Sequence, residues 1–590
     1  MKKIFQHQFL SVCSMALAAT LTMSSCDSLF DSAPSDKLTD ESIWPSENLL
    51  DEYTMAWYKN MNNGWSSLMS TSSFFGMKYM SYITPAFYTD QTTYGVSNWV
   101  NSGVGEEIAS KESTILLLAR NRWKAYYIQI QNINRILENA DKLPSNNKQR
   151  VLGEAHFFRA YYYYMLMQRY GGVLLIDHNY DPLHSSERFP RASYDEMVEF
   201  ITREADLAVE ALALKNDNRN VGRITKGAAL MLKAKTYFWV GSPQFQNKSS
   251  ELYGFTTDRS QEFMQKAIET YKAIDDLNQY KLMPVSGTTE SAIAKSYHDL
   301  FLQHNNDESI LEYQHGESKL TSEGAHTLDQ IAMPPALTGT QCAYCPTQNH
   351  VDEYGMRDGR TYDPQNPYSY RDYRFYANVL YDGTTFRDSV MEMHYVIDAS
   401  GKEVAQSGIT KYGTGRNNGY SRTGYYMRKF LDPKITYPYK EKEGSNQNYP
   451  IWRYAELLLD YAEAAFRTGD VSTALQKVNL VRQRVKMHPL TSITLNDILN
   501  ERRVEMAFEE TTYWDEIRLG TAVQKLNGST NPLRFMKIVY QTDGTKTYTT
   551  ADMDNQAAER AFRDNQYYYP IPWEEVRFQG IEQNAGWHEK

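Results

Sequence analysis

Cys342 and Cys345, in "TGTQCAYCPTQNH", stand at a spacing that lets two side chains of this 590-residue chain do chemistry with each other. A C-x-x-C pair in an exported chain serves as a tight local disulfide, a redox dithiol or half of a metal site. Zinc takes four ligands, and no second cysteine pair completes the set; His350 alone lies near. A thioredoxin-like role wants a βαβ setting, which the neighbouring turn residues do not offer. The adjacent acids Glu509-Glu510 and Glu574-Glu575 invite comparison with the paired carboxylates of glycoside hydrolysis. Neighbours on a helix diverge in direction, so Glu509 and Glu510 would not face one substrate. No phosphate loop, G-x-S-x-G elbow, H-E-x-x-H pair or calcium loop occurs. What remains is tyrosine: 45 of them outnumber the 23 Phe and 10 Trp together, each a flat apolar face with a polar edge. That chemistry holds part-polar ligands. The run "AYYYYMLMQRY" (160–170) is the contrary case, rings packed between helices.

The other two cysteines belong to the start of the chain. Lys2 and Lys3 precede an apolar run from Phe9 to Leu21, which includes Cys13, and small residues Ser24 and Ser25 lead to Cys26. This is the layout of an export signal, and the run is shorter than the ~20 residues a membrane span needs. "MSSC" resembles a bacterial lipobox, in which Cys26 becomes the first mature residue and is acylated, with palmitate among the expected chains. Residues 1–25 are thus read as a lipoprotein signal peptide. Several acyl chains anchor stably, since each buried methylene contributes about 0.8 kcal/mol and one chain alone is marginal. The signal removes two lysines and no acid from a chain with 62 basic and 72 acidic residues, so the mature net charge is −12. Such a balance excludes nucleic acid as a partner and a body held on anionic lipid by basic residues. The membrane is expected to be reached through the lipid anchor only.

These residues need a scaffold, and helical periodicity supplies one. In "VLGEAHFFRAYYYYMLMQRYGG", Val151, Ala155, Phe158, Tyr162, Met165 and Leu166 form one stripe, with Glu154, Arg159 and Arg169 off it and Gly171-Gly172 as the stop. The clearest helix pair is in "IWRYAELLLDYAEAAFRTGDVSTALQKVNLVRQRV": Tyr454, Leu457, Leu458, Tyr461 and Ala465 share a face, Gly469 ends the helix and Asp470 caps the next, whose stripe is Ala474, Val478, Val481 and Val485. Ala462 and Ala474 stand at the twelve-residue spacing of small residues in tetratricopeptide repeats. Between residues 242 and 450 the composition turns to Gly, Pro, Asn, Asp and Tyr with short stripes, and "LEYQH" and "MEMHYVIDASGKEV" read as short strands. The predicted fold class is mainly all-α, with tetratricopeptide-like helix pairs in a right-handed superhelix and a long irregular insert containing short strands. The divisions are a helical region with the binding loop at 26–241 and a C-terminal region at 242–590, the latter split into a variable insert (242–450) and a helical repeat (451–590).

A series of segments in order then becomes recognisable. "CDSLFD", "LGEAHFFRAYYYYMLMQRYGGVLL", "VDEYGMRDGR", "YRDYRFYANVLYDG", "RTGYYMRKFLDP", "IWRYAELLLDYAEAAFRTGD", "ILNERRVEMAFEETTYWDEIR", "YYYPIPWEEV" and "QNAGW" resemble successive blocks of the SusD/RagB lipoproteins of Bacteroidetes. Thr511 and Thr512, Leu174 and Ala585 depart from the usual residues at helix ends and turns, and the cysteine pair is not a family hallmark. The resemblance implies a non-enzymatic binding protein without cofactor or metal. Its place is the cell outer membrane, lipid-anchored and facing the exterior, and its partner is a SusC-like TonB-dependent transporter. The ligand implied is an oligosaccharide or polysaccharide; a RagB-like peptide binder is the alternative, and a glycan-degrading enzyme stands behind both.

Family members build the ligand site from the loop after the first helix together with the variable insert. In this chain the loop contains "PAFYTDQTTYGVSNWVNSG" (85–103). Tyr88, Tyr94 and Trp99 offer flat faces there, while Asp90, Asn98 and Asn101 offer hydrogen bonds to hydroxyls. From the insert, Tyr344 sits between the two cysteines, where a disulfide would stiffen its loop. The opposing reading is that Tyr88 and Trp99 pin the loop onto the helices beneath.

Overall fold

A computed structural model of the chain describes residues 43–62, 89–93, 112–181, 184–316, 326, 328–333, 342, 344–406, 408–409, 420–435, 445–553 and 560–589. Cys13, Cys26, Tyr88, Tyr94, Asn98, Trp99 and Asn101 lie outside them.

Helices α1 (Glu47–Lys59), α2 (Glu112–Glu138), α3 (Lys148–Tyr170), α4 (Tyr194–Ala211), α5 (Lys226–Val240) and α6 (Ser260–Asp276) open the array, with α2 to α6 packed each on the next. The chain leaves for the insert and returns as α7 (Tyr454–Arg467), which packs on α6, then α8 (Val471–Arg484), α9 (Leu495–Glu505) and α10 (Thr511–Arg518). Neighbour-on-neighbour packing of helix pairs is the tetratricopeptide-like arrangement expected. The turn between α7 and α8 follows the residues: Gly469 takes φ +92° and the Asp470 side chain accepts from the Thr473 amide at 3.0 Å. Ala462 and Ala474 are both fully buried.

The expected stripe on α3 is buried, but it is not the only buried face. Glu154, Arg159 and Arg169 are buried along with Tyr161 to Tyr164, so the helix is covered all round. Its charges are satisfied within the helix and from other segments: Glu154 pairs with Arg150 one turn away and with Arg223, and Arg159 with Glu204. Arg169 lies over the Trp514 ring, 4.6 Å from its centre. The tyrosines do pack between helices, and their hydroxyls explain why they are not phenylalanines: Tyr162 donates to Trp57 O at 2.6 Å and Tyr163 to Ile176 O at 3.0 Å. Gly171 ends α3 at φ +75°, where a Cβ would meet Leu252 O at 2.4 Å.

The helical array also runs past residue 241, because α6 buries Phe263, Met264, Ala267, Tyr271 and Ile274 against α5 and α7. Strands are short. Among them are β1 (Thr92–Thr93), β2 (Ser309–Tyr313), β3 (Cys345–Pro346), β4 (Tyr395–Ile397), β5 (Glu403–Ala405), β6 (Tyr449–Arg453), β7 (Arg534–Tyr540) and β8 (Lys546–Asp552). β1 pairs with β3 and β2 with β6, both antiparallel, and one four-stranded sheet has the order β8-β7-β4-β5. The strands expected in "LEYQH" and "MEMHYVIDASGKEV" are β2 and the β4–β5 hairpin. Residues 449–453 form strand β6, so Ile451–Arg453 at the head of the segment holding the expected helix pair are strand, and the β7–β8 hairpin was not anticipated within 451–590.

Candidate functional site

The loop and the insert meet. Thr92 faces Pro346 and Thr93 faces Cys345 in a two-residue antiparallel ladder. Thr347 continues the junction: its amide donates to Gln91 O at 3.1 Å and its hydroxyl donates to Asp90 O. The same hydroxyl accepts from the His350 amide at 3.2 Å, capping the short helix Gln348–Glu353. Asn349 ties that helix to β7, accepting from the Arg534 amide at 2.7 Å and donating to Pro532 O at 3.0 Å. Residues 89–93 are buried throughout, an unusual state for a loop.

Beneath the ladder lies an ionic knot. Arg503 of α9 reaches Asp90 at 2.5 Å, Glu516 of α10 at 3.1 Å and Glu353 at 3.3 Å. Asn531 donates to the second Asp90 oxygen at 2.9 Å. Burial alone would raise the Asp90 carboxyl, but Arg503 and Asn531 hold it well below the usual range. Glu353 and Glu516 are pushed up by burial, against which the shared guanidinium is insufficient. His350 is brought down to about 3, by burial first and by Arg503 second. Adjacent residues on α9 divide their work as helix geometry requires: Arg502 turns to Glu456, Asp460 and Asp515 within the array, while Arg503 turns to the loop.

Of the expected contacts, Asp90 and Tyr344 fall among the described residues, and both differ from their expected roles. Asp90 has both carboxylate oxygens engaged by protein. Tyr344 is 3% exposed, its ring inside a cluster with Leu380, Phe386 and Tyr426, so it is not offered to solvent. Each fixes the base of a loop. The Gln91 carboxamide is buried with neither end hydrogen-bonded, which leaves a donor and an acceptor at the root of the same loop. Cys342 and Cys345 are both buried, with their sulfurs 2.9 Å apart. Glu509 and Glu510 are not on one helix: α9 ends at Glu505, Glu510 has φ +61°, and Glu509 is held by Lys429 and Arg453. Sequence reasoning missed Arg503, Glu353, Glu516, Thr347 and Asn531; the Arg502-Arg503 doublet was the available signal.

A separate cavity of about 100 Å³ opens between α3, α5, β6 and the start of α10, lined by Tyr161, Gln168, Arg169, Lys235, Trp452 and Trp514 among others. It is smaller than the ~300–1,000 Å³ of ordinary ligand pockets. No group of three metal-ligating side chains occurs among the described residues, and no described helix is long and apolar enough to cross a membrane.

Comparison with known proteins agrees with this architecture. The model of the SusD family matches residues 307–587, and a second, described as "starch-binding associating with outer membrane", matches 30–238. The chain belongs to the SusD family. A SusD-like protein of Bacteroides ovatus is 22% identical over 97% of this chain and 93% of its own length; SusD-like protein P38 of Formosa agariphila is 20% identical over 90% and 95%. In three dimensions a SusD-like protein of Bacteroides fragilis superposes with TM-score 0.71 at 24% identity, over 94% of this chain and all of that one. A laminarin-binding SusD-like protein gives TM-score 0.60 at 19% identity, covering 92% of this chain and all of the other. A structure determined with xylogluco-oligosaccharide gives TM-score 0.58 at 20%, covering 90% and 97%. Arg503 lies within the residues matched by the first model and Asp90 within those matched by the second.

Proposed function

We propose that this SusD-like protein binds an oligosaccharide or polysaccharide at the outer membrane and passes it to a TonB-dependent transporter, without chemical change to the glycan. The observation that carries the reading is the β1–β3 ladder, which joins the aromatic- and amide-rich loop to the insert over a rigid ionic base. SusD-like structures named for laminarin and for xylogluco-oligosaccharide support the ligand class. The cavity between α3, α5, β6 and α10 is too small for an oligosaccharide, and tyrosine and tryptophan faces of the loop would stack on sugar C–H faces. Lipid on Cys26 would keep the protein at the membrane while leaving its body free to move over the transporter.

Titration of the purified chain against polysaccharide and peptide panels tests this, with saturable binding to a glycan expected. Trp99→Ala is expected to abolish that binding with little change in the unfolding midpoint. Saturable binding to peptides alone would replace the glycan reading with the peptide one. Cys26→Ala is expected to move the protein from the membrane to the soluble fraction in cells lacking the partner transporter.

A further inference from the structure

We propose that Cys342 and Cys345 are oxidised to a disulfide that latches the loop–insert junction. Both side chains are completely buried, and their sulfurs lie 2.9 Å apart, less than 1 Å beyond the ~2.05 Å of a covalent S–S bond. No described group of metal-ligating side chains competes for them. The pair is asymmetric. Burial pushes the Cys342 thiol up; at Cys345 burial acts the same way, but the Cys342 thiol, the Arg422 amide and the Arg422 guanidinium bring it below its usual value.

The reaction is thiol–disulfide exchange with a disulfide-bearing oxidant of the export compartment. One cysteine thiolate attacks an oxidant sulfur, displacing the other oxidant sulfur as a thiolate, and forms a mixed disulfide. The second cysteine loses its proton and attacks the first, the Cys342–Cys345 bond forms, and the oxidant leaves as a dithiol with two electrons and two protons. Since both thiols end up buried, exchange belongs to the stage before the insert closes over them. The finished bond is then shielded from reductants.

What it latches follows from position. Cys345 is a residue of β3 and faces Thr93; Pro346 faces Thr92, and Thr347 bonds Asp90 and Gln91. Tyr344 O accepts from the Met427 amide at 3.3 Å on the insert side. A bond across so short a loop removes little unfolded-chain entropy. Its effect is local, holding the strand edge on which residues 89–93 are registered. That consequence for the binding loop rests on the proposed function; the bond itself does not.

The test uses the full chain purified from cells that export it. After denaturation without reductant and alkylation, neither cysteine should carry the alkyl group and the peptide spanning both should be two hydrogens lighter. Two alkylated cysteines would overturn the disulfide. Cys342→Ala/Cys345→Ala is then expected to speed amide exchange at Gln91–Thr93 by about tenfold while exchange in α7 and α8 stays the same. Wild-type protein refolded under reductant should behave alike, which separates loss of the bond from loss of packing. Unchanged exchange at Gln91–Thr93 in both would overturn the latch. None of these readouts involves a glycan, so their failure is distinguishable from failure of glycan binding.

Discussion

Two of the buried ionic junctions in this molecule are built with opposite charge logic. One welds the insert to the helical array around Glu505, whose carboxylate meets Arg374 at 3.0 Å, Arg453 at 2.7 Å and Arg484. Despite complete burial, those guanidiniums hold Glu505 well below the usual carboxylate range. The other seats the binding loop around Arg503, where one guanidinium serves Asp90, Glu353 and Glu516 and two of the three carboxyls are pushed up. Cations in excess around an acid favour its ionised form and keep the joint charged. Acids in excess around a cation give a joint with carboxyls that resist ionising. The permanent weld lies between the two largest bodies of the fold, and the softer one lies beneath the segment assigned to ligand.

Removing the central acid should break the first junction most severely. Glu505→Gln leaves three guanidiniums buried around a neutral amide, and stripping one partner from a buried ionic group destabilises by about 3–5 kcal/mol. Urea unfolding should show the midpoint falling accordingly. A loss under 1 kcal/mol would mean that Glu308 and Glu509, which also contact Arg453, carry the junction without Glu505.

The contrast between the junctions also marks where the sequence is readable. Rules confined to one turn held: Gly469 with Asp470, and Gly171, are each decided within a few residues. Helix α6 carries a plain apolar stripe, yet the Gly- and Asn-rich composition of the 200 residues around it masked a single regular segment. Charged residues on α3 were placed outward because their partners, Glu204 and Arg223, are too far along the chain for periodicity to show. The loop junction is further out of reach, for Asp90 and Arg503 are 413 positions apart. Family resemblance brought the loop and the insert together, but only the fold shows that Asp90 and Tyr344 face inward.

A smaller effect is expected at the edge of the second junction. Asp90→Asn removes the carboxyl that Arg503 and Asn531 hold low, while Arg503 keeps Glu353 and Glu516. Asp90 has a depressed folded value, so its contribution is present above its ordinary value of 3.8 and is lost as pH falls through the lower folded one. At neutral pH the substitution should therefore destabilise by roughly 1–2 kcal/mol, with amide exchange rising first at residues 91–93. A loss as large as that of Glu505→Gln would erase the distinction between the joints.

The sharpest comparison applies the same Glu→Gln exchange to Glu516, eleven positions from Glu505. Burial raises the Glu516 carboxyl despite contacts from Arg503 and the Thr521 hydroxyl. A raised folded value means the wild-type residue favours the folded state below its ordinary 4.5 and loses that contribution as pH rises through the folded value. Glutamine never ionises, so the variant escapes that loss while its carbonyl oxygen still accepts from Thr521. Glu516→Gln should match wild type at pH 4 and become more stable relative to it as pH rises. By pH 8 the gain should be up to about 1 kcal/mol, the lost Arg503 pairing offsetting part of the relief. Unfolding midpoints of the two proteins, measured across that range, should thus separate with increasing pH. Convergence instead, or destabilisation at pH 8, would show that Glu516 is ionised and fully paired, and that the loop joint is as permanently charged as the one around Glu505.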